Sequence, residues 1–262
     1  IEMHPRRIAL PPEGGRETQN LPDTARWYNS HPATVRYTAG ESVGAFDGHH
    51  LVAYLTESGT IDLAVGETLE VEFDFNMIET VAADAGGPGG LRFGFFDSQG
   101  ERIDSDDAGG ANEVFKGYAG YAAFGSINGG DNALSLLRRD PALENSNLLQ
   151  SYSAFNGLGN FGERGGTFVD GTTYTAKLVI ERSGESELAL TSSVTGGDLV
   201  GYYATTTVSE NLETGFDTLG IFTSKQMNTE YDVTRVEVNK ETAPAPTSTI
   251  VLDETFPEDG RE

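Results

Sequence analysis

Leu69-Glu70-Val71-Glu72-Phe73-Asp74-Phe75-Asn76-Met77 alternates without a break, with five apolar side chains at odd positions and four polar ones at even positions. Successive side chains of a strand point to opposite faces, so a period of two predicts a half-buried antiparallel strand. One face needs a core to pack on and the other meets water.

The same alternation recurs along the chain. Residues 91–96 predict a second strand, ended by the turn Asp97-Ser98-Gln99-Gly100. Tyr174, Ala176, Leu178 and Ile180 line one face of a third, opposed by Thr175, Lys177 and Glu181. Residues 188–194 follow the Ser183-Gly184 turn, and 216–223 and 231–238 complete the clear set. Arg235 interrupts the last alternation and predicts a bulge. Helical signal is confined to residues 132–139, a turn and a half closed by Pro141. Residues 82–90, 108–111 and 157–166 read as Gly-rich loops. With 33 glycines and 37% hydrophobic residues, the chain suits many short strands joined by turns. Its 262 residues fit a single sandwich.

Charge and cysteine count exclude whole classes of function. Seventeen basic against 41 acidic side chains leave a net charge of −24. A phosphate backbone or an anionic membrane needs a basic face, so neither nucleic acid nor lipid surface is a partner. The absence of cysteine removes disulfides, thiolate metal sites and thiol nucleophiles. No apolar run approaches the ~18 residues that span a bilayer. The chain opens on Ile1 and not Met, which predicts a segment processed or excised from something longer.

Pro12-Glu13-Gly14-Gly15-Arg16-Glu17 returns as Pro257-Glu258-Asp259-Gly260-Arg261-Glu262, identical at five of six positions. Stretches this polar have no core to constrain them, so the recurrence reads as a repeated unit. The expected organisation is a β-sandwich module over 1–239, a stiff Pro-rich linker over 240–248, and a connector over 249–262 that resembles the start of a following module. Thr249-Ile250-Val251-Leu252 is β-prone but too short to fold alone, and needs a sheet to join. With Phe256 it forms the candidate assembly segment.

The order of features from Thr18 to Val238 resembles a bacterial extracellular module of the concanavalin A-like, LamG-like jelly-roll class. Carrying the resemblance are Gly15-Arg16-Glu17-Thr18-Gln19-Asn20-Leu21-Pro22 leading to Trp27-Tyr28, and Leu91-Arg92-Phe93-Gly94-Phe95-Phe96-Asp97-Ser98. Gly117-Tyr118-Ala119-Gly120-Tyr121, Leu136-Leu137-Arg138-Arg139 and Phe216-Asp217-Thr218-Leu219 extend it. It implies an all-β, antiparallel two-sheet jelly-roll (concanavalin A-like) sandwich with short helical turns at most, at an extracellular or cell-surface location. Such modules occur in carbohydrate-active enzymes, adhesins and large surface proteins, so the resemblance speaks to fold before role.

No catalytic residues are assigned. Glu70, Glu72 and Asp74 share a strand face but lack an aromatic partner and read as a solvated sheet surface. His49 and His50 would point to opposite faces and cannot readily chelate one ion. Asp97, Asp104 and Asp106 cluster around turns as hard oxygen donors, which makes Ca²⁺ the one cofactor the sequence admits. Trp27, Tyr118, Tyr121 and Tyr152, with Arg138, are candidates for stacking and hydrogen-bonding a sugar. Tyr118 and Tyr121 would face opposite sides of a regular strand, so a shared platform needs a bulge at Gly120. Two functions follow: a non-catalytic structural module linked to copies of itself or adjacent modules through its C-terminal segment, or a carbohydrate-binding module with a polysaccharide partner. A polysaccharide lyase or hydrolase stands third.

Overall fold

The computed structural model describes residues 6–8, 26–29, 49–80, 90–104, 111–126, 134–159, 168–199, 202–223, 227–230 and 236–242. For the strands at 6–8, 26–29, 76–80, 227–230 and 236–242 it gives the backbone pairing. The first strands are β1 (Arg6–Ile8), β2 (Arg26–Asn29), β3 (His49–Tyr54), β4 (Ile61–Asp62) and β5 (Glu67–Thr80). Next come β6 (Gly90–Asp97), β7 (Ala119–Ser126), β8 (Ser135–Arg139) and β9 (Phe155–Gly159). The chain then runs through β10 (Thr172–Gly184), β11 (Glu187–Thr195) and β12 (Tyr203–Val208). Last are β13 (Gly215–Phe216), β14 (Thr218–Thr223), β15 (Met227–Glu230) and β16 (Val236–Thr242).

Two seven-stranded antiparallel sheets carry the fold. The first has the order β1-β16-β5-β10-β11-β12, with β15 also pairing β5. The second has the order β2-β3-β14-β6-β7-β8-β9, and β4 with β13 forms a small ribbon. The chain crosses between sheets repeatedly, which makes this the expected jelly-roll sandwich. No helix among the described residues is long and apolar enough to cross a membrane.

Alternation sets the register. Leu69, Val71, Phe73 and Phe75 lie directly opposite Ile180, Leu178, Ala176 and Tyr174 across the β5–β10 ladder, all buried. They meet Phe93 and Phe95 of β6, Tyr121 and Ala123 of β7, and Leu219 and Ile221 of β14 in one apolar core between the sheets. On the solvent face of β5, Glu70 takes an ion pair from Lys177 at 2.7 Å, and Asp74 accepts from the Thr175 hydroxyl at 2.6 Å.

Along β6 the second sheet is buried on both faces, with every residue from Gly90 to Phe96 buried. Its outer face carries Val52, Tyr54, Phe96, Phe124, Leu137 and Phe222, beneath a layer of irregular chain that contributes Ile103, Phe115, Tyr118, Leu148, Leu149 and Ala154. Buried loop backbone needs hydrogen-bond partners, and side chains supply many of them. Arg139 donates to the carbonyls of Asn147, Leu148, Phe115 and Asn145. Arg92 donates to Leu149 O at 2.6 Å. Asp217, 1% exposed, accepts from Ser98 N, Ser98 Oγ, Thr218 Oγ1 and Arg102 Nη2. Arg102 in turn donates to the Thr56 and Glu57 carbonyls.

Some sequence expectations change. Residues 135–139 form β8 and not a helical turn, because Leu136 packs between the sheets while Leu137 packs on the outer face, a period of two. The helical turn comes later, a 3-10 turn at Pro141–Leu143 capped by Asp140. Gly157 and Gly159 belong to β9, and β16 runs through Thr242, three residues into the stretch expected to be linker. The observed ladder irregularities lie between Glu181 and Gly184, between Leu136 and Leu137, and between Asn228 and Thr229. Arg235, with its expected bulge, lies outside the described residues, as do Thr249, Ile250, Val251, Leu252 and Phe256.

Candidate functional site

Where β7 begins and β8 ends, the segment joining β12 to β13 folds across the mouth of the sandwich. Two bonds hold it there. Glu213 N donates to the Tyr121 hydroxyl at 3.0 Å, and Arg138 Nη1 donates to Glu210 O at 3.2 Å. Between them opens a cleft of about 260 Å³, lined by Ala119, Gly120, Arg138, Arg139, Asp140, Pro141, Asn211 and Glu213. Pockets for drug-sized ligands run roughly 300–1,000 Å³, so this cleft is smaller than most of them. Gly120 is required here: its φ is +149°, and a Cβ would fall 2.1 Å from Phe95 O. Asn211 adopts a left-handed φ of 49°, which asparagine tolerates better than most side chains.

The lining groups are mixed donors and acceptors. Asp140 is preset, since Oδ1 caps Ala142 N at 3.0 Å and Oδ2 accepts from Asn156 Nδ2 at 2.8 Å. Arg138 Nη2 stands 3.8 Å from the same Oδ2. Burial holds the Glu213 carboxyl above its ordinary range; the Gly215 and Thr214 amides oppose that, and nearby Asp97 and Asp62 add to it. Arg139 forms part of the wall, its guanidinium spent on backbone carbonyls and its pKa pushed down to about 10 by burial.

The candidate sugar-stacking residues separate sharply. Tyr118 and Tyr121 are fully buried on opposite faces of the second sheet. The β6–β7 ladder continues through Phe96 opposite Gly120 and Asp97 opposite Ala119, without the bulge a shared platform needs. Tyr118 shares a 2.7 Å hydroxyl–hydroxyl bond with Tyr54, and burial raises its pKa well above the usual phenol value. Neither ring can meet a ligand. Tyr152 is 51% exposed, and Arg138 lines the cleft. Trp27 lies in β2 opposite Ala53, and its side chain falls outside the described residues.

The described part of the acidic turn gathers no metal-ligand group. Asp97 Oδ1 accepts from Gln99 N at 2.7 Å and Oδ2 from Gln99 Nε2 at 2.6 Å, which turns its carboxylate onto its own loop. Asp104 is exposed and Asp106 lies outside the described residues. Among the described residues no three His, Asp or Glu side chains gather around a common point.

Sequence reasoning passed over Asp140, Asn211 and Glu213, which no pattern marks. Asp217 did carry a signal, a lone carboxylate inside the apolar run 216–222.

No protein-family model matches the chain, and no curated protein sequence does either. Among solved structures it is similar to lectin I-B4 from Griffonia simplicifolia in metal-free form, at 13% identity and TM-score 0.43, covering 85% of this chain and 95% of that one. The Ca²⁺-bound exoplasmic/lumenal domain of VIP36 gives 11% identity and TM-score 0.40, covering 86% and 84%. The alginate lyase Aly36B gives 12% identity and TM-score 0.30, covering 85% and 99%. Residue roles do not transfer at such identity.

Proposed function

We propose that this chain is a non-catalytic carbohydrate-binding module of a secreted or surface protein. The observation that carries the reading is the cleft at the sandwich mouth, where Arg138, Asp140, Asn211 and Glu213 converge on one small space. Carboxylates and amides accept from sugar hydroxyls, and a guanidinium donates to ring and hydroxyl oxygens. Glycoside hydrolysis asks instead for two carboxyl groups free to flank one bond. Here Asp140 is committed to Ala142 N and Asn156, and Glu213 is turned toward the Gly215 and Thr214 amides. Both carboxyls serve to shape the pocket. Calorimetry against soluble neutral glycans tests this, with Arg138→Ala and Asp140→Ala each expected to weaken binding about tenfold or more. Absence of any glycan binding, or release of reducing ends by the wild-type chain, sinks the reading.

A second reading, a subunit of an extracellular fibre, sheath or surface assembly, draws on the pairing of β1 with β16. The segment ahead of the first hexapeptide copy closes an edge of the first sheet, with Arg6 opposite Val238 and Ile8 opposite Val236. Val251, Leu252 and Asp253 stand equally far ahead of the second copy. Strand addition by this segment to a neighbouring copy would link modules. Deleting 243–262, which spares β16, should abolish assembly seen by electron microscopy; unchanged assembly refutes it.

A further inference from the structure

The cleft does not end at its own wall. Pro141 lines it and opens the 3-10 turn Pro141–Leu143, which packs against a second turn, Tyr152–Ala154. Asp140 N donates to Ala154 O at 3.2 Å, and Asn145 Nδ2 donates to Ser153 Oγ at 2.7 Å. Cleft and second turn are therefore one braced surface, with Leu143, 43% exposed, along it.

Tyr152 heads that second turn. Its ring is 51% exposed yet held from within. The Arg92 guanidinium lies 4.8 Å from the ring centroid, and Phe124 meets it edge-on at 4.9 Å. Arg92 is itself 8% exposed and fixed by its bond to Leu149 O. The Ser151 and Ser153 hydroxyls of the same turn bond to each other at 2.7 Å. A ring braced by the protein and half open to solvent loses little freedom when a flat ligand covers it.

We propose that the cleft and the Tyr152 ring are two subsites of one site for a neutral oligosaccharide several rings long. The cleft takes one sugar through hydrogen bonds, and Tyr152 stacks against a sugar further along the same chain. This rests on the carbohydrate reading and adds chain length and charge to it. The ligand is neutral because the protein carries −24 and the cleft lining is balanced, with Arg138 and Arg139 against Asp140 and Glu213, so nothing local offsets the long-range repulsion that a uronate or sulfated chain meets. Two subsites joined by one ligand gain by effective concentration, so affinity should depend on length.

The test is calorimetry on the full chain with ladders of one to six rings from the cello-, xylo-, manno- and laminari-oligosaccharide series, and an alginate hexamer as the anionic arm. In the series that binds, affinity should rise about tenfold or more between one ring and the spanning length, then level off. Tyr152→Ala should abolish that rise while leaving single-ring affinity unchanged, and Tyr152→Phe should keep it. A flat length dependence, a rise that survives Tyr152→Ala, or a Tyr152→Phe variant that loses it overturns the two-subsite proposal while single-ring binding leaves the carbohydrate reading standing. Tighter binding of the alginate hexamer than of every neutral ladder overturns the neutral assignment. Failure of all ladders removes the carbohydrate reading itself.

Discussion

Along β6 the two faces of the second sheet are both buried, but by different means. Between the sheets, Phe73, Phe93, Phe95, Ile221 and their neighbours bury against one another in one apolar cluster. On the outer face, rings of similar size are covered by irregular chain, and Arg92, Arg139 and Asp217 are buried with them. The inner face is closed by regular strands whose backbone groups pair within the ladders. The outer layer has no ladder to join, so charged side chains must meet its carbonyls and amides. Apolar packing makes the sandwich, and polar anchoring adds a layer that can be shaped. Arg138, Asp140 and Tyr152 all stand on or beside that anchored layer.

The largest effect should come from the inner face. Phe73→Ala removes a fully buried ring that meets Phe93 edge-on at 5.2 Å. It should cost about 3–5 kcal/mol in equilibrium denaturation, with loss of structure everywhere at once. Arg139→Met should come next, at about 2–4 kcal/mol, because four loop carbonyls lose their donor. Its signature should be local: hydrogen exchange should quicken at 113–118 and 145–154 while β5 and β10 stay protected. Uniform loss of protection would erase the distinction between the two faces.

The inner face was legible in the sequence because its constraint is periodic. Leu69 to Phe75 and Tyr174 to Ile180 announce both the strand and the side that packs. The outer layer was illegible for the opposite reason. Its bonds run from one side chain to carbonyls several turns away, as from Arg139 to Phe115 and Asn145, and no spacing rule encodes them. Leu136-Leu137-Arg138-Arg139 misled for the same reason, since a strand buried on both faces loses its alternation and imitates a helix. The cleft inherits this: Asp140 acts through the cap it makes, and Glu213 through the fold of its segment. The buried Tyr118 and Tyr121 show that an aromatic near a loop is as readily a closing stone of the core as a sugar platform.

Glu213 offers a finer probe of the boundary between the two regions. Its carboxyl is raised by burial from an ordinary value of 4.5, so the folded state holds the proton more tightly than the unfolded chain does. Stability from this group is full below pH 4.5 and is lost as pH rises through the raised folded value. Glu213→Gln removes that loss. The variant should melt above the parent at pH 7, with the gain shrinking toward zero as pH falls below 4.5. A gain independent of pH would mean that packing, and not ionisation, governs the position.

The smallest effect should lie on the first sheet's outer face, where side chains of β5 and β10 meet solvent. There Lys177 reaches Glu70 at 2.7 Å and Glu72 at 3.9 Å, with its side chain 36% exposed. These are charged contacts like those of Arg139, but water competes for each and salt screens them. Lys177→Ala should therefore change stability by less than about 1 kcal/mol in thermal denaturation, and less again in 1 M salt. A loss comparable to that of Arg139→Met would show that ion pairing stabilises this protein wherever it occurs. Near-silence at Lys177 beside a large effect at Arg139 would locate the stabilisation in burial of the bonded backbone, which is the property that separates Arg139 from Lys177.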